Sequence, residues 1–312
     1  MRILFWGSPG FAIPSLERLI RSDHRVVGVV TREDKPSGRG RKVQPTPIKA
    51  RALETGLEIL QPARADDPGF LARVRSLSPD ISVVVAYGKI LKKEALDLPP
   101  LKSICIHPSL LPRYRGASPV QRAVLAGETE TGVTIFRMDE GMDSGDILIQ
   151  VKTPIREGER AGELMERLGL LSSEVLMVLL SLMEAGEVHP VPQEEAKATY
   201  APKVKAEEAR IDWRKEPRAL ELESRAFDPW PGSYAFLGGE RVHLFGIRNV
   251  RWSGVPAGAP GEVVGVEEDG TVVRAGSGFV KVTEFQSAGK RRMDAASWLR
   301  GRRMDRGVIF GP

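Results

Sequence analysis

His107 ends the run Ile104-Cys105-Ile106-His107, and the residues after it fit no regular element. Pro108, Pro112 and Pro119 fix φ and remove backbone donors, so the SLLPRYRG stretch after the histidine reads as an irregular loop. A polar loop directly after a buried strand is where α/β proteins place their chemistry. At such a rim an imidazole serves as a general base, as a donor to a developing oxyanion, or as both in turn. Asp139 and Asp143 come later in RMDEGMDSGD, where the glycines let a tight loop fold back toward the strand ends. A carboxylate beside His107 orients the ring and favours its charged form. Ser109 lacks a G-x-S-x-G elbow, which argues against a serine nucleophile. No second histidine lies at ligand spacing, which argues against a metal. What is left is a His/Asp site suited to acyl-type transfer through a tetrahedral intermediate. A structural crossover with a core histidine accounts for the same residues without chemistry.

The elements that must position this site alternate between strand and helix. Arg2–Trp6 is a short apolar run that stops at Gly7-Ser8-Pro9-Gly10, a helical pattern runs on through Ile13, Leu16, Leu19 and Ile20, and His24–Val30 is a second strand. This βαβ opening implies a parallel sheet with a right-handed crossover. Its turn lacks G-x-G-x-x-G, so no dinucleotide is expected. Thr46 with Pro47 starts the next helix, Leu57–Leu60 is a strand, and Asp66 or Asp67 caps a helix ending near Ser78. Ile81–Ala86 reads as a central strand buried on both faces, ending at a rim that begins Tyr87-Gly88-Lys89. Gly132–Met138 and Ile147–Val151 are further strands, and Ala161–Glu187 has a strong helical period.

Between Thr31 and Pro45 every periodicity breaks. Lys35, Arg39, Arg41 and Lys42 gather there with Gly38 and Gly40, a composition suited to a phosphate backbone and also to a plain solvated loop. From His189 to Glu208 the pattern dissolves into Pro, Glu, Lys and Ala, which reads as a linker. Beyond it short alternating runs separated by Gly238-Gly239 and Asp269-Gly270 argue for a small β-barrel. Lys290, Arg291, Arg292, Arg300, Arg302 and Arg303 form a second basic cluster.

The 312 residues suffice for two domains, each with its own core, and 41% hydrophobic with 28% charged residues is ordinary for a globular protein. A net charge of +5 is compatible with an anionic partner without identifying one. One cysteine excludes an internal disulfide and a cysteine-cluster metal site, and fits a reducing compartment. No run reaches the roughly 18 apolar residues of a membrane span, and the N-terminus has no leader pattern, so a cytoplasmic protein is expected.

The block ICIHPSLLPRYRGASPVQRAVLAGETETGVTIFRMDEGMDSGD resembles the signature of the folate-dependent formyltransferases. DKPSGRGRK at 34–42, TYAPKVKAEEARIDW at 199–213 and AFDPWPGSY at 226–234 make the whole chain most similar to the branch acting on methionyl-tRNA. The resemblance implies an α/β, Rossmann-like formyltransferase domain with a parallel-rich sheet over 1–189, a linker over 190–208, and an OB-like tRNA-binding β-barrel over 209–312. It implies formyl transfer from 10-formyltetrahydrofolate to the α-amino group of initiator Met-tRNA, without a metal, by a bacterial-type cytoplasmic monomer. His107 and Asp143 match the catalytic histidine and aspartate. Ser109, Leu110, Leu111 and Pro112 match the folate segment, with Tyr87, Gly88, Ile90 and Leu91 and the Asp139–Met142 loop, including Gly141, completing the pocket. Arg39, with Lys35, Arg41 and Lys42, matches the loop that meets the tRNA acceptor arm.

One position departs from the pattern. Where the family places an asparagine two residues before the histidine, this chain carries Cys105. The asparagine amide donates to the formyl oxygen in the family mechanism, and a thiol is a weak donor. Loss of one such donor typically costs on the order of 10²–10³ in turnover. Three readings stay open: His107 carries the oxyanion alone, a nearby amide or water compensates, or the chain binds folate and tRNA without transfer. A covalent role for Cys105 lacks any sign of an activated thiol. A formyltransferase or hydrolase acting on a small substrate is the remaining alternative.

Overall fold

A computed structural model of the chain describes residues 1–37, 42–253, 258–301 and 304–311, with Ser37 and Lys42 described in the backbone alone. The chain divides into two compact units, one of residues 1–119, 130–154 and 165–201, the other of 120–129, 155–164 and 202–312.

The strands of the first unit are β1 (Arg2–Gly7), β2 (Arg25–Val30), β3 (Lys35–Ser37), β4 (Lys42–Gln44), β5 (Ile59–Leu60), β6 (Ile81–Val85), β7 (Ser103–His107), β8 (Glu130–Arg137) and β9 (Ile147–Pro154). Seven of them form one sheet in the order β5-β2-β1-β6-β7-β8-β9. Pairing is parallel from β5 through β7 and antiparallel at β8 and β9. The strand order reverses between β1 and β6, and in such sheets ligands bind beyond the carboxyl ends near that switch. His107 is the last residue of β7, one strand further along the same rim.

Helices α1 (Ile13–Ile20), α2 (Pro47–Glu54) and α3 (Pro68–Leu77) make the early crossovers. Thr46 caps α2 by accepting from the Lys49 amide at 3.1 Å, and Asp67 caps α3 by accepting from Phe70 at 2.8 Å. Beneath the rim, Trp6 meets Phe70 and Tyr87 edge-on at centroid distances of 5.6 and 5.2 Å. Each such pair contributes about 0.5–1.5 kcal/mol beyond its buried area.

Two expectations change here. The stretch 31–45 is not wholly irregular, because β3 and β4 pair antiparallel as a hairpin. After the short helices α4 (Lys93–Leu96) and α5 (Pro119–Leu125), helix α6 (Ala161–Ala185) is by length and composition long and apolar enough to cross a membrane, contrary to expectation. Its Leu168, Leu176, Leu179 and Leu180 are buried at helix-face spacing, so the apolar stripe serves as core.

The second unit carries α7 (Pro217–Ala226), strands β10 (Tyr234–Leu237), β11 (Glu240–Phe245), β12 (Arg248–Val250), β13 (Val263–Glu267), β14 (Gly270–Ala275), β15 (Gly278–Val282), β16 (Glu284–Ser287) and β17 (Met293–Asp294), and α8 (Ala295–Gly301). They form two four-stranded antiparallel sheets, β10-β11-β16-β17 and β12-β15-β14-β13. The runs expected at 241–250 and 279–285 each break into two strands. At the first break Gly246 takes φ 60 and a Cβ there would fall 2.1 Å from Thr283 Oγ1, so only glycine fits. Phe285 stacks on Trp298 at 4.4 Å in a core shared with Trp213 and Phe310.

Candidate active site

His107 is buried at the end of β7, and its two nitrogens have different tasks. Nε2 lies 2.9 Å from the Tyr114 carbonyl, so Nε2 carries hydrogen and donates. Nδ1 is thereby the nitrogen left to exchange a proton, and it faces Asp143 Oδ2 at 3.5 Å. That separation is too long for a full hydrogen bond. Asp143 Oδ2 accepts instead from the Gly116 amide at 2.8 Å. Asp143 takes φ 53, a left-handed conformation uncommon outside glycine, which turns its carboxylate toward the histidine loop. At Gly145 a Cβ would lie 1.8 Å from the Arg137 carbonyl, so the return of the loop onto β8 requires glycine.

Cys105 pairs with Val84 and Phe136 on the flanking strands and lies two residues before His107, on the same face of β7. Burial, and then the Asp143 carboxylate, push its thiol well above the ordinary range. The group is a neutral S–H at physiological pH, turned to the Ile106 carbonyl at 3.8 Å.

The segment expected to hold folate is tied to the sheet from beneath. The Ser109 hydroxyl donates to the Arg113 carbonyl at 2.7 Å, and the Ser109 carbonyl accepts from Thr134 at 2.7 Å. Leu111 is buried, its amide donating to Thr134 and its carbonyl accepting from Gln150. Leu110 and Pro112 are half-buried. At the second rim Ala86 takes φ 50, and Tyr87 turns inward instead of lining the edge. Burial, with Glu33 nearby, raises the Tyr87 hydroxyl to about 12, and that hydroxyl has no hydrogen-bond partner among the described residues. Leu91 is also buried, whereas Gly88 is open and Ile90 is 87% exposed. Opposite in sequence, Met142 is 63% exposed on the loop where Asp139 accepts from the Gly141 amide and the Ser144 hydroxyl.

Sequence reasoning missed the residues behind the pair. Arg115 is 2% exposed and donates to Gln193 Oε1 through Nε and Nη2, at 3.1 and 2.9 Å, and to Glu195 through Nη1 at 2.9 Å. Thr199 and Ala201 pair with Arg115 through backbone bonds of 2.8 and 2.7 Å. These residues belong to the stretch expected as linker. The TYAPK block marked Thr199, but nothing local marks Gln193.

Of the basic loop, Lys35 is exposed on β3, Lys42 belongs to β4, and Arg39 and Arg41 lie outside the described residues. Asp34 anchors the hairpin base, accepting from Lys49 at 2.6 Å and Gln61 at 2.8 Å, and the Lys49 bond foremost holds its carboxyl below the ordinary value. In the second unit, Arg241, Lys290, Arg291, Ser297 and Trp298 line a groove of about 920 Å³. Lys290 and Arg291 are exposed there and Arg300 is exposed on α8, whereas Arg292 is consumed internally by Asp228. Arg302 and Arg303 lie outside the described residues.

Comparisons with known proteins agree across the chain. The profile of the family described as formyl transferase matches residues 1–180, and that of its C-terminal domain matches 203–303. A methionyl-tRNA formyltransferase of Syntrophus aciditrophicus is 43% identical over 309 residues, covering 99% of this chain and 98% of the relative. One of Symbiobacterium thermophilum is 44% identical, covering 100% of this chain and 96% of its own length. Among solved structures, HypX of Aquifex aeolicus in complex with tetrahydrofolic acid superposes with a TM-score of 0.65 at 21% identity, over 96% of this chain and 47% of that one. The sugar 3N-formyl transferase WlaRD does so at 0.62 and 18% identity, over 93% of this chain and 99% of its own, a likeness of fold.

Proposed function

We infer the activity from one premise: the chain belongs to the methionyl-tRNA formyltransferase family. It transfers the formyl group of 10-formyltetrahydrofolate to the α-amino group of methionine on initiator tRNA. The observation that carries this is the end-to-end match, which spans the C-terminal domain as well as the formyl transferase domain. Nothing in the comparisons favours a small-substrate enzyme or a binding protein without transfer.

The residues present suggest a division of labour. Folate supplies a formyl group on nitrogen and leaves as an amine. Gly88, Ile90, Asp139, Gly141 and the Ser109–Pro112 backbone hold it, with Tyr87 and Leu91 supporting from below. Attack by the neutral amine forms the new C–N bond and moves the carbonyl pair onto oxygen. His107, protonated at Nδ1, stabilises that oxyanion. Asp143 takes the proton released by the attacking nitrogen, through water, and returns it to the folate nitrogen as the bond from that nitrogen to the formyl carbon breaks and the carbonyl re-forms. Cys105 is a neutral bystander, so His107 carries the oxyanion alone.

The 35–44 hairpin region, with Lys35, Arg39, Arg41 and Lys42, and the Arg241–Lys290–Arg291 groove grip the tRNA backbone. Contacts of this kind release counterions and make binding fall steeply with salt. The enzyme works in the cytoplasm as a monomer.

The test is a formylation assay with initiator Met-tRNA, alongside free amines, on wild type and Cys105→Asn. The expected result is turnover on Met-tRNA that declines sharply with salt and rises in Cys105→Asn by up to about 10²-fold. Formyl transfer confined to free amines or water would refute the assignment. A wild type without turnover that Cys105→Asn rescues would show that His107 alone does not suffice.

A further inference from the structure

The stretch from Val191 to Ala201 lies across both loops that carry the His/Asp pair. At one end Val191 exchanges two backbone hydrogen bonds with Ile147, at 2.8 and 2.9 Å, where the aspartate loop re-enters the sheet. At the other, Thr199 and Ala201 bracket Arg115 in the histidine loop. Between these anchors two side chains reach the pair itself. Gln193 Nε2 donates to the carbonyls of Asp143 and Gly145, both at 2.8 Å. Thr199 Oγ1 accepts from the Tyr114 amide at 2.8 Å, and Tyr114 is the residue whose carbonyl fixes His107 Nε2.

We propose that this strap is the positioning element of formyl transfer, with Gln193 setting Asp143 and Thr199 setting His107 through Tyr114. The inference rests on the formyltransferase reading above.

The reasons are physical. Asp143 and Tyr114 both adopt left-handed backbone conformations, φ 53 and 62, which non-glycine residues keep only where surroundings over-determine them. Each is held from the strap. Gln193 is itself oriented, because Arg115 donates twice to its oxygen and so fixes which end of the amide faces Asp143. That buried guanidinium makes an inverted amide unfavourable, since both groups would then be donors. The Asp143–His107 gap of 3.5 Å leaves the pair without a strong bond of its own, so its geometry is inherited from what holds each partner. Displacement of about 1 Å in such a pair costs roughly 10²-fold in rate.

Three variants test this. Gln193→Met keeps the length of the side chain and removes both donations. Thr199→Val removes the acceptor, and Thr199→Ser retains it. With 10-formyltetrahydrofolate saturating, kcat on Met-tRNA is expected to fall ten- to hundredfold in Gln193→Met and about tenfold in Thr199→Val, while Thr199→Ser stays near wild type. KM for Met-tRNA changes little, and the melting temperature stays near wild type in the two Thr199 variants, which separates positioning from binding and from folding; Gln193→Met also takes an acceptor from buried Arg115 and loses some stability. An active wild type with Gln193→Met within twofold in kcat overturns this inference alone. If Gln193→Met does not fold, the Thr199 pair decides, and equal kcat in Thr199→Val and Thr199→Ser overturns it. Absence of turnover in both the wild type and Cys105→Asn overturns the functional reading and this inference with it.

Discussion

Asp143 and Asp228 are both carboxylates beside basic groups, yet one faces its partner at 3.5 Å and the other is gripped from two sides. Asp228 receives both nitrogens of the Arg292 fork at 2.8 and 2.9 Å and a further nitrogen of Arg160 at 3.2 Å. Both arginines also bond Glu284, and the Arg292 guanidinium lies 3.9 Å over the Phe245 ring. Burial acts to raise the Glu284 carboxyl, but hydrogen bonds from Arg292 and then Arg160 outweigh it and hold the group below its ordinary value. Every charge in that cluster is answered. At the β7 rim His107 Nδ1 and Asp143, beyond its bond from Gly116, keep capacity that no group among the described residues fills. A satisfied cluster has no reason to accept a proton or a substrate. An unsatisfied one remains available for chemistry.

That contrast can be broken from either side. His107→Ala should lower kcat by about 10²–10⁴-fold while leaving the melting temperature nearly unchanged. A parallel loss of stability would mean that the histidine is a core residue after all. Asp228→Asn should do the reverse. It leaves two arginines partly unanswered and should cost about 3–5 kcal/mol in a urea titration, with formylation per folded molecule preserved. A silent Asp228→Asn would show that the cluster is solvated rather than structural.

The smallest effect concerns a buried polar group with no partner and no charge. The Tyr87 pKa is raised on folding, so its contribution is fully present below the unfolded value near 10 and is lost as pH rises through about 12. Tyr87→Phe should therefore flatten the alkaline fall in stability over that window. At neutral pH it should shift stability by less than about 1 kcal/mol, because no hydrogen bond is removed. An unaltered alkaline slope would place the titration elsewhere.

What the sequence disclosed obeyed local physics. Caps at Thr46 and Asp67, the βαβ opening and the strand ending in His107 all have signatures within a few residues. The inward turn of Tyr87 was hidden because it depends on a left-handed Ala86, which residue type disfavours. The hairpin at 35–44 was hidden by proline and glycine, which weaken any strand pattern. Gln193 was the least legible of all. Its partners lie 48, 50 and 78 residues away, and a side-chain amide in a Pro- and Glu-rich stretch carries no period. Resemblance suggested the roles of His107 and Asp143, and of the residues that hold them it marked Thr199 but not Gln193.

The strap has a consequence for how the protein comes into being. During synthesis His107 and Asp143 leave the ribosome well before Gln193 and Thr199, by about 3–18 seconds at about 5–20 residues per second. A nascent chain stopped at residue 180, where the first family profile ends, already owns both reactive groups and still lacks the segment that aligns them. On the positioning proposed here, alignment of the pair therefore arrives late, no sooner than the emergence of Ala201.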